Sequence, residues 1–342
     1  MDRSGRYSRQ ELFAGIGKEG QRRLGETHAL IVGAGALGTG NAEALVRAGV
    51  GTVTIVDRDY VEWSNLQRQQ LYCEEDARQR LPKALAAANR LREVNSAVTI
   101  RPVVADVTTE EIGALTEGVD VIVDATDNFE TRLLLNDISQ QKGIPWIYGA
   151  CVGSYGLTFT VIPGETPCLQ CLLESVPLGG ATCDTAGIIG PAVQMVVAHQ
   201  AAEALKLLSG DRQALRHKLV SFDLWQNQYA AIDVRGVRRP ACPSCGERPS
   251  YPHLAAANHT RTAVLCGRDT VQIRPPHPVR RNLDEVAASL SRLSEGRVER
   301  NPYLVSFTVG DQRLAIFEDG RVLIHGTKDT ATARSLYHRY LG

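Results

Sequence analysis

The sequence lacks an excess of charge of either sign and any long hydrophobic run. Lys and Arg together number 38, and Asp and Glu also number 38, so the charge balance does not favour a nucleic-acid or membrane surface. No apolar run is long enough to span a bilayer, and the charged first thirty residues contain no signal-peptide core. Repeats and low-complexity tracts are also missing. We therefore expect a cytoplasmic protein with neither a membrane nor a nucleic-acid partner.

Aromatic residues are scarce as well, at 6% of the chain. We expect the three tryptophans, Trp63, Trp146 and Trp225, to act as packing anchors. The chain contains eight cysteines. In a cytoplasmic protein, cysteines indicate metal binding or catalysis more often than disulfide bonds. The overall balance of 43% hydrophobic and 22% charged residues is typical of a globular protein.

A length of 342 residues is sufficient for two domains at about 150 residues each. We predict a nucleotide-binding domain over 1–248, a Pro-containing linker over 249–260, and a small α+β accessory domain over 261–342. The last of these shows helix and strand patterns but no catalytic constellation, and its role is left open.

Residues 29–57 have the pattern of a strand, a glycine-rich turn, a helix and a second strand. The turn contains Gly33, Gly35 and Gly38 in the motif G-x-G-x-x-G. We predict the helix over 39–47 and expect the second strand to end at Asp57. In this context the glycines let a phosphate approach the backbone, the helix N-terminus attracts an anion, and the acidic residue can bind ribose hydroxyls. The pattern predicts a nucleotide site without identifying the nucleotide.

The segment after this second strand combines polar groups that suit a triphosphate. They comprise a carboxylate, an amide and two cations, from Asp59, Asn65, Arg68 and Lys83. Bound phosphates need cations and amide donors, whereas such a polar cluster would contribute little to the binding of a nicotinamide ring. Charged residues in a loop are more often simply solvated, but this set directly follows a phosphate-binding turn. We therefore interpret it as part of the nucleotide site.

Strands and helices alternate to about residue 150, which predicts an α/β fold with a Rossmann-like, doubly wound and mainly parallel sheet. A helix over 77–94 is expected to carry Lys83 near its start. The nearly continuous apolar run at 119–124 indicates a strand buried on both faces. It leads to Asp127 and Asn128 at the carboxyl end of that strand, where doubly wound sheets bind ligands.

Two Cys-x-x-Cys pairs lie about seventy residues apart. They are Cys168 with Cys171 and Cys242 with Cys245. Four thiolates in two such pairs are typical of a closed tetrahedral zinc site. With all four ligands from protein no position is open to substrate, so the zinc would be a structural clamp. Two unrelated buried pairs, or a redox pair, are the alternatives.

In this order the motifs resemble the MoeB/ThiF-type adenylyltransferases, bacterial relatives of the ubiquitin-activating enzymes. The resemblance covers roughly residues 5–248 and rests on G-A-G-A-L-G, V-D-R-D, S-N-L-Q-R-Q, L-P-K, D-A-T-D-N and the two cysteine pairs. It implies a homodimer that uses magnesium ATP to adenylate the C-terminal Gly-Gly carboxylate of a ubiquitin-like sulfur carrier. The carrier would serve thiamine or molybdopterin synthesis, with a lean towards thiamine because no rhodanese domain follows.

The resemblance also assigns roles to the residues of the predicted nucleotide site. The three glycines would shape the turn, with Asp57 on the ribose, and Asn65, Arg68 and Lys83 would bind the phosphates. Asp127 would hold magnesium.

Two further roles come from the resemblance alone. Arg9 is similar to an arginine that reaches the ATP of the partner subunit. Cys183 matches a cysteine that in some members links covalently to the carrier, although an ordinary small residue in a glycine-rich loop is an equal alternative.

Other functions remain open at this point. An enzyme of the same fold could adenylate a small carboxylate or a modified tRNA base, although the balanced charge disfavours tRNA. An NAD-dependent oxidoreductase and a non-catalytic nucleotide-binding scaffold are alternatives of other classes. Arg68, Lys83 and Asp127 argue against the oxidoreductase, and the intact set of cations argues against the scaffold.

Overall fold

The computed structural model describes residues 5–175, 187–255, 262–264, 269–275 and 279–341. The chain divides into two compact units, Met1–Asn258 and His259–Gly342. Within the described residues, each unit has its own sheet, of eight strands in the first and six in the second. No helix in the described ranges is long and apolar enough to cross a membrane.

The sheet of the first unit has the strand order β3-β2-β1-β4-β5-β6-β7-β8. Its strands are β1 (His28–Val32), β2 (Thr52–Asp57), β3 (Thr99–Val104), β4 (Val121–Asp124), β5 (Trp146–Val152), β6 (Tyr155–Val161), β7 (Lys218–Asp223) and β8 (Gln228–Asp233). The first five strands in this order are parallel, and β6, β7 and β8 extend the sheet with antiparallel pairings. The prediction of an α/β fold with a mainly parallel sheet is confirmed.

Helices cover both faces of this sheet. They are α1 (Ser8–Glu11), α2 (Gly17–Leu24), α3 (Ala36–Ala48), α4 (Glu74–Gln79), α5 (Lys83–Val94), α6 (Ile112–Leu115), α7 (Phe129–Lys142), α8 (Leu169–Ser175) and α9 (Gly190–Ser209). One core contains Leu45, Leu91 and Ala204, from helices α3, α5 and α9. A second core lies beside α7 and includes all four predicted zinc ligands. Burial on both faces explains why β1 and β4 are almost entirely apolar.

The predicted single helix over 77–94 is wrong, because the structure has two helices there. Helix α4 ends at Gln79, Arg80 takes a left-handed conformation with φ of 50°, and α5 begins at Lys83. Pro82 precedes α5, and a proline disfavours helical geometry at the residue before it. The break has a functional consequence, since it puts Lys83 in the first turn of its helix.

Tryptophan burial also differs from expectation. Trp146 is completely buried, whereas Trp63 is 56% exposed and Trp225 is 75% exposed. The expectation of packing anchors is therefore wrong for the latter two. Trp63 begins a short 3-10 helix, Trp63–Asn65, and Trp225 lies in the turn between β7 and β8. Within the predicted linker, Pro252–Leu254 forms a 3-10 turn, and the amide of His253 donates to Asp137 of α7 at 2.8 Å.

The second unit is a small α+β unit with an antiparallel sheet in the order β11-β12-β13-β14-β10-β9. The strands are β9 (Thr262–Val264), β10 (Thr270–Ile273), β11 (Arg297–Arg300), β12 (Leu304–Val309), β13 (Gln312–Phe317) and β14 (Val322–His325). Two described helices, α10 (Leu283–Ser291) and α11 (Thr330–Leu341), share a core with this sheet. Phe307 and Tyr337 are among the large side chains of that core.

Candidate nucleotide site and cysteine cluster

The strand order reverses between β1 and β4, which lie side by side in the sheet. In doubly wound folds ligands bind at such a point, outside the carboxyl ends of the strands. The loops that follow the two strands meet there: a Cβ added to Gly33 would lie 2.4 Å from the carbonyl oxygen of Ala125. The glycine turn and the segment containing Asp127 are thus neighbours.

The three glycines of the turn have different roles. Gly33 has φ of +98°, and a Cβ on Gly38 would approach the carbonyl oxygen of Gly33 to 1.9 Å. These two positions exclude a side chain because the backbone itself packs closely. Around Gly35 the nearest described atom to an added Cβ is Nε2 of Gln69, at 4.0 Å. Gly35 is the N-cap of α3, so this open space adjoins the amide groups of the first helical turn.

Asp57 connects the second strand to the turn. Its Oδ2 atom accepts a hydrogen bond from the amide of Ala34 at 2.6 Å, and its Oδ1 atom accepts one from the amide of Asp59 at 2.7 Å. Loss of hydration raises the pKa of Asp57, while the positive charge of Lys83 acts in the opposite direction. The carboxylate therefore lies at the end of β2, next to both the turn and the cation, and its role in binding ribose stays a prediction.

Lys83 is brought to this edge by two contacts with Asp59. Its Nζ atom donates to Oδ2 of Asp59 at 3.3 Å, and its backbone amide donates to the carbonyl of Asp59 at 2.9 Å. The Lys83 side chain is only 4% exposed. A buried ammonium is held by a carboxylate partner and supplies positive charge in a region of weak solvent screening.

Asn65 is completely buried and has an unused donor. Its Oδ1 atom accepts a hydrogen bond from the amide of Glu62 at 3.0 Å, whereas its Nδ2 atom has no hydrogen-bond partner among the described residues. Leaving such a group unpaired costs about 1–3 kcal/mol, so a ligand oxygen that accepts from it would be favoured. A contact between the Asn65 amide and a phosphate stays a prediction.

Gln69 was missed by the sequence interpretation. It is 3% exposed, its Nε2 atom faces Gly35, and its Oε1 atom has no hydrogen bond within the described part of the chain. The only available signal was its position next to Arg68 in the segment Q-R-Q. A polar residue in a turn gives no indication from sequence that it is buried.

Arg68 is half-buried, and its guanidinium donates to the backbone carbonyl of Ser64 at 2.9 Å. The structure thus places it in the same polar segment as Asn65, with its side chain directed to the local backbone. A phosphate role for Arg68 stays a prediction.

Asp127 is exposed and lies just beyond the end of β4, within electrostatic range of Arg58 and Arg132. Asn128 caps helix α7, because its side-chain oxygen accepts a hydrogen bond from the amide of Thr131 at 2.8 Å. This cap accounts structurally for Asn128, and its predicted role in cofactor binding stays untested.

Arg132 is a second residue that the sequence interpretation did not include. It is buried, forms an ion pair with Asp124 at 3.5 Å, and donates to the carbonyl of Thr126 at 2.7 Å and to that of Gly149 at 3.2 Å. Burial raises the pKa of Asp124, and Arg132 opposes this rise. Arg132 thereby connects the loop that carries Asp127 to the middle of β5.

Arg9 lies far from this site within its own chain. Helix α1 is held to the opposite end of α3, because the Gln10 side chain donates to the carbonyl of Ala48 at 2.9 Å. Helix α3 begins after Gly35 and has 13 residues, which corresponds to a length of about 20 Å. Cys183 lies outside the described residues, so its predicted role stays a prediction.

The four predicted zinc ligands form one buried cluster. The Sγ atoms of Cys168 and Cys242 are 3.6 Å apart, as are those of Cys171 and Cys245, and all four lie within 4.8 Å of one another. Tetrahedral zinc with Zn–S distances of about 2.3 Å separates its sulfur ligands by about 3.8 Å. The residues therefore fit a zinc ion in both chemistry and geometry.

Close packing of the thiols shifts the pKa values of Cys171 and Cys245 in opposite directions. Burial raises the pKa of Cys171 to about 11, whereas hydrogen bonding, first of all from Cys168, lowers the pKa of Cys245 to about 5. One thiolate is thus stabilised by neighbouring thiols, and a metal ion would compensate the charge of all four.

Comparison with known proteins places this chain among adenylyltransferase relatives of similar sequence. The model of the ThiF family matches residues 7–244. The sulfur carrier protein ThiS adenylyltransferase of Bacillus subtilis is 56% identical over 339 residues, covering 99% of this chain and 100% of the relative. The molybdopterin-synthase adenylyltransferase of Escherichia coli is 35% identical over 244 residues, covering 71% of this chain and 96% of the relative.

Solved structures add evidence on the fold. A crystal structure of E. coli MccB is similar with a TM-score of 0.63 and 20% sequence identity, over 72% of this chain and 74% of that one. At this identity the similarity shows the fold alone. The family model and the two relatives, by contrast, cover most of the sequence, and on that basis the chain belongs to the ThiF family.

Proposed function

We propose that this chain is an ATP-dependent adenylyltransferase that activates the C-terminal Gly-Gly carboxylate of a ubiquitin-like sulfur carrier protein. The observation that carries the proposal is the 56% identity with the B. subtilis ThiS adenylyltransferase over 99% of this chain. The full length of that relative is covered, whereas the molybdopterin-synthase relative matches 71% of this chain. We therefore favour a carrier of the ThiS type, serving thiamine synthesis.

In the proposed reaction, an oxygen of the carrier carboxylate attacks the α-phosphorus of ATP. The bond between that phosphorus and the bridging oxygen breaks, which gives an acyl-adenylate and pyrophosphate. A carboxylate is already ionised at neutral pH, so the attack needs no strong general base. The protein must instead position two anions and stabilise the charge that develops on the leaving pyrophosphate.

The described residues can supply these functions. Asp57 would bind the ribose, and the amides beside Gly35 at the start of α3 would bind phosphate oxygens. Lys83 would act as a buried point charge, held ready by Asp59 at 3.3 Å. The unpaired Nδ2 atom of Asn65 would donate to a further phosphate oxygen.

Asp127 is the proposed ligand for magnesium. Its exposed carboxylate follows β4 at the reversal point of the sheet, and carboxylate oxygens are preferred Mg²⁺ ligands. When bound, the ion would neutralise phosphate charge. Arg132 would keep the loop of Asp127 in place through its hydrogen bond to the carbonyl of Thr126.

We further propose that the active form is a homodimer in which Arg9 acts on the ATP of the partner subunit. Within one chain, α1 is attached at the end of α3 remote from Gly35, about 20 Å along the helix, so Arg9 is badly placed for its own site. The residues just after it, Leu12 and Phe13, are 74% and 66% exposed. Exposed apolar side chains next to the arginine favour a contact with a second copy of this chain.

The cysteine cluster is proposed to hold a structural zinc ion. Four protein thiolates leave no open coordination position, so zinc would stabilise the fold without contacting substrate. It would clamp the start of α8 to the segment that contains Cys242 and Cys245. A covalent link between Cys183 and the carrier remains a prediction from the resemblance.

ATP–pyrophosphate exchange is the experiment that tests the proposed function. Purified protein is incubated with Mg-ATP, labelled pyrophosphate and either a thiamine-type or a molybdopterin-type carrier that ends in Gly-Gly. We expect exchange only when carrier is present, and faster exchange with the thiamine-type carrier. A carrier lacking the final glycine is the matched control. Tight NAD binding without exchange would instead support the oxidoreductase alternative.

A further inference from the structure

Tyr72 connects the phosphate turn to the helix that carries the buried lysine. Its hydroxyl lies 2.7 Å from the carbonyl oxygen of Ala34 and 3.1 Å from that of Lys83. The side chain is 8% exposed and belongs to the core beneath the turn. The shorter distance is that of a good O–H···O hydrogen bond, so the hydroxyl proton is directed mainly at Ala34.

The position of the Ala34 carbonyl determines where the next amide points. In a trans peptide the carbonyl of one residue and the N–H of the next point in opposite directions. Tyr72 holds the Ala34 carbonyl towards the core, which turns the N–H of Gly35 away from it. Gly35 borders the open space at the N-terminus of α3.

The other end of Ala34 is fixed as well. Its amide donates to Oδ2 of Asp57 at 2.6 Å. With the N–H held by Asp57 and the carbonyl held by Tyr72, neither peptide plane that flanks Ala34 can rotate freely. The turn is therefore preorganised before nucleotide binds.

We propose that Tyr72 is a positioning residue for nucleotide phosphate: its hydroxyl orients the Ala34–Gly35 peptide so that the Gly35 amide faces a phosphate oxygen, and it couples this peptide to the start of the helix of Lys83. The proposal rests on the proposed function in that it takes ATP as the ligand. Tyr72 itself touches no substrate atom in this account.

Electrostatics keep the hydroxyl in the donor form. Burial first, and then the negative charges of Asp57, Asp76 and Asp59, raise the pKa of Tyr72 well above its ordinary value. The phenol thus retains its proton across the pH range in which the protein would work. A hydrogen-bond donor is what the Ala34 carbonyl needs.

The test compares Tyr72→Phe with Tyr337→Phe. Both tyrosines are 8% exposed and both use their hydroxyl, but that of Tyr337 accepts from Arg281 at 3.0 Å in the second unit. Dissociation constants for ATP and for adenosine are measured by calorimetry on the full chain, and thermal unfolding confirms that each variant is folded. Neither measurement requires a carrier.

We expect Tyr72→Phe to weaken ATP binding by about three- to tenfold, the range for loss of one neutral hydrogen bond. Adenosine binding should change less than twofold, because adenosine has no phosphate, and Tyr337→Phe should change neither constant. An unchanged ATP constant in Tyr72→Phe would overturn the proposal, as would equal weakening of ATP and adenosine or a failure of the wild-type protein to bind ATP. Wild-type protein that binds ATP but gives no pyrophosphate exchange with either carrier would refute the proposed function alone, since the binding comparison still decides the role of Tyr72.

Discussion

The carboxylate of Asp57 accepts a hydrogen bond from the amide of Ala34 at 2.6 Å, so the residue proposed to bind ribose also holds the phosphate turn. One carboxylate, which has lost part of its hydration, would thus both bind ribose and hold the turn in place. Loss of hydration raises its pKa, against the opposing influence of Lys83. The ionised form of Asp57 therefore stabilises the folded protein less than the protonated form does.

The first prediction concerns Asp57→Asn. The folded-state pKa of Asp57 lies above its ordinary value of 3.8, so the folded protein binds the proton more tightly than the unfolded chain does. The stability that Asp57 contributes is therefore present below that ordinary value and is lost as the pH rises through the raised folded-state pKa. Asparagine has one acceptor oxygen, so it can accept only one of the two backbone amides that the carboxylate accepts. We therefore expect Asp57→Asn to be less stable than wild type by about 1–3 kcal/mol near pH 4, with a smaller deficit at neutral pH, where ionisation of the carboxylate lowers the stability of the wild-type protein.

Urea unfolding at both pH values measures this difference in stability. The affinity of the variant for ATP should also fall on the order of tenfold or more, because a charged hydrogen bond to ribose is lost. Asp120→Asn is the matched control. The carboxylate of Asp120 also accepts a backbone amide, that of His28 at 2.8 Å, but it is exposed. A stability deficit that is the same at both pH values would contradict the linkage argument.

The second prediction concerns the magnesium ligand. Asp127→Asn keeps the size of the side chain and removes its charge, so we expect a fall in exchange activity of about a hundredfold or more, on the scale of other lost transition-state contacts. Affinity for ATP measured without magnesium should remain close to that of wild type. Glu117→Gln, which neutralises another exposed acid of the same unit, is the control. Wild-type magnesium dependence in Asp127→Asn would rule out the assignment.

The third prediction concerns the partner subunit. Arg9→Ala and Lys83→Ala should each be inactive alone, because each removes a cation from every site. In a mixed dimer one of the two sites regains both residues, and random mixing makes half of the dimers mixed, so about a quarter of wild-type activity should return. Mixing is done after denaturation and refolding, with differently tagged chains to verify mixed dimers. Verified mixed dimers without activity would refute action across the interface.

The fourth prediction concerns the cysteine cluster. Metal analysis of the purified protein should find about one zinc per chain, and Cys242→Ser should lose that metal. Structural zinc contributes on the order of 10 kcal/mol of binding free energy in small zinc domains, so we expect a large drop in melting temperature. Cys73→Ser is the matched control, because Cys73 is exposed and lies outside the cluster. Wild-type protein that is stable without zinc would contradict the proposal of a structural zinc ion.

Several parts of the site followed from the sequence because they depend on local geometry. Gly33 and Gly38 could be recognised since a strand, turn and helix in that order permit only glycine where the backbone approaches itself. The two cysteine pairs could be recognised by their internal spacing, and helix α3 begins at Ala36, close to the predicted start at 39.

Other parts depended on contacts between distant segments. The partners of the Tyr72 hydroxyl lie 38 and 11 residues away and are backbone carbonyls, which carry no residue-specific pattern. Gln69 and Arg132 are polar residues whose burial is created by packing. The break at Arg80, which brings Lys83 to a helix start, required a left-handed residue that composition does not reveal.

The sequence by itself determined the α/β class, the glycine turn, the acidic end of β2 and the two ligand pairs, because each is encoded by neighbours along the chain. Only the tertiary structure brought Cys168 and Cys171 to within 4.8 Å of Cys242 and Cys245, and only it held Lys83 against Asp59. The reason is physical: close approach between segments follows from the packing of sheet and helices around shared cores, and the whole chain decides that packing.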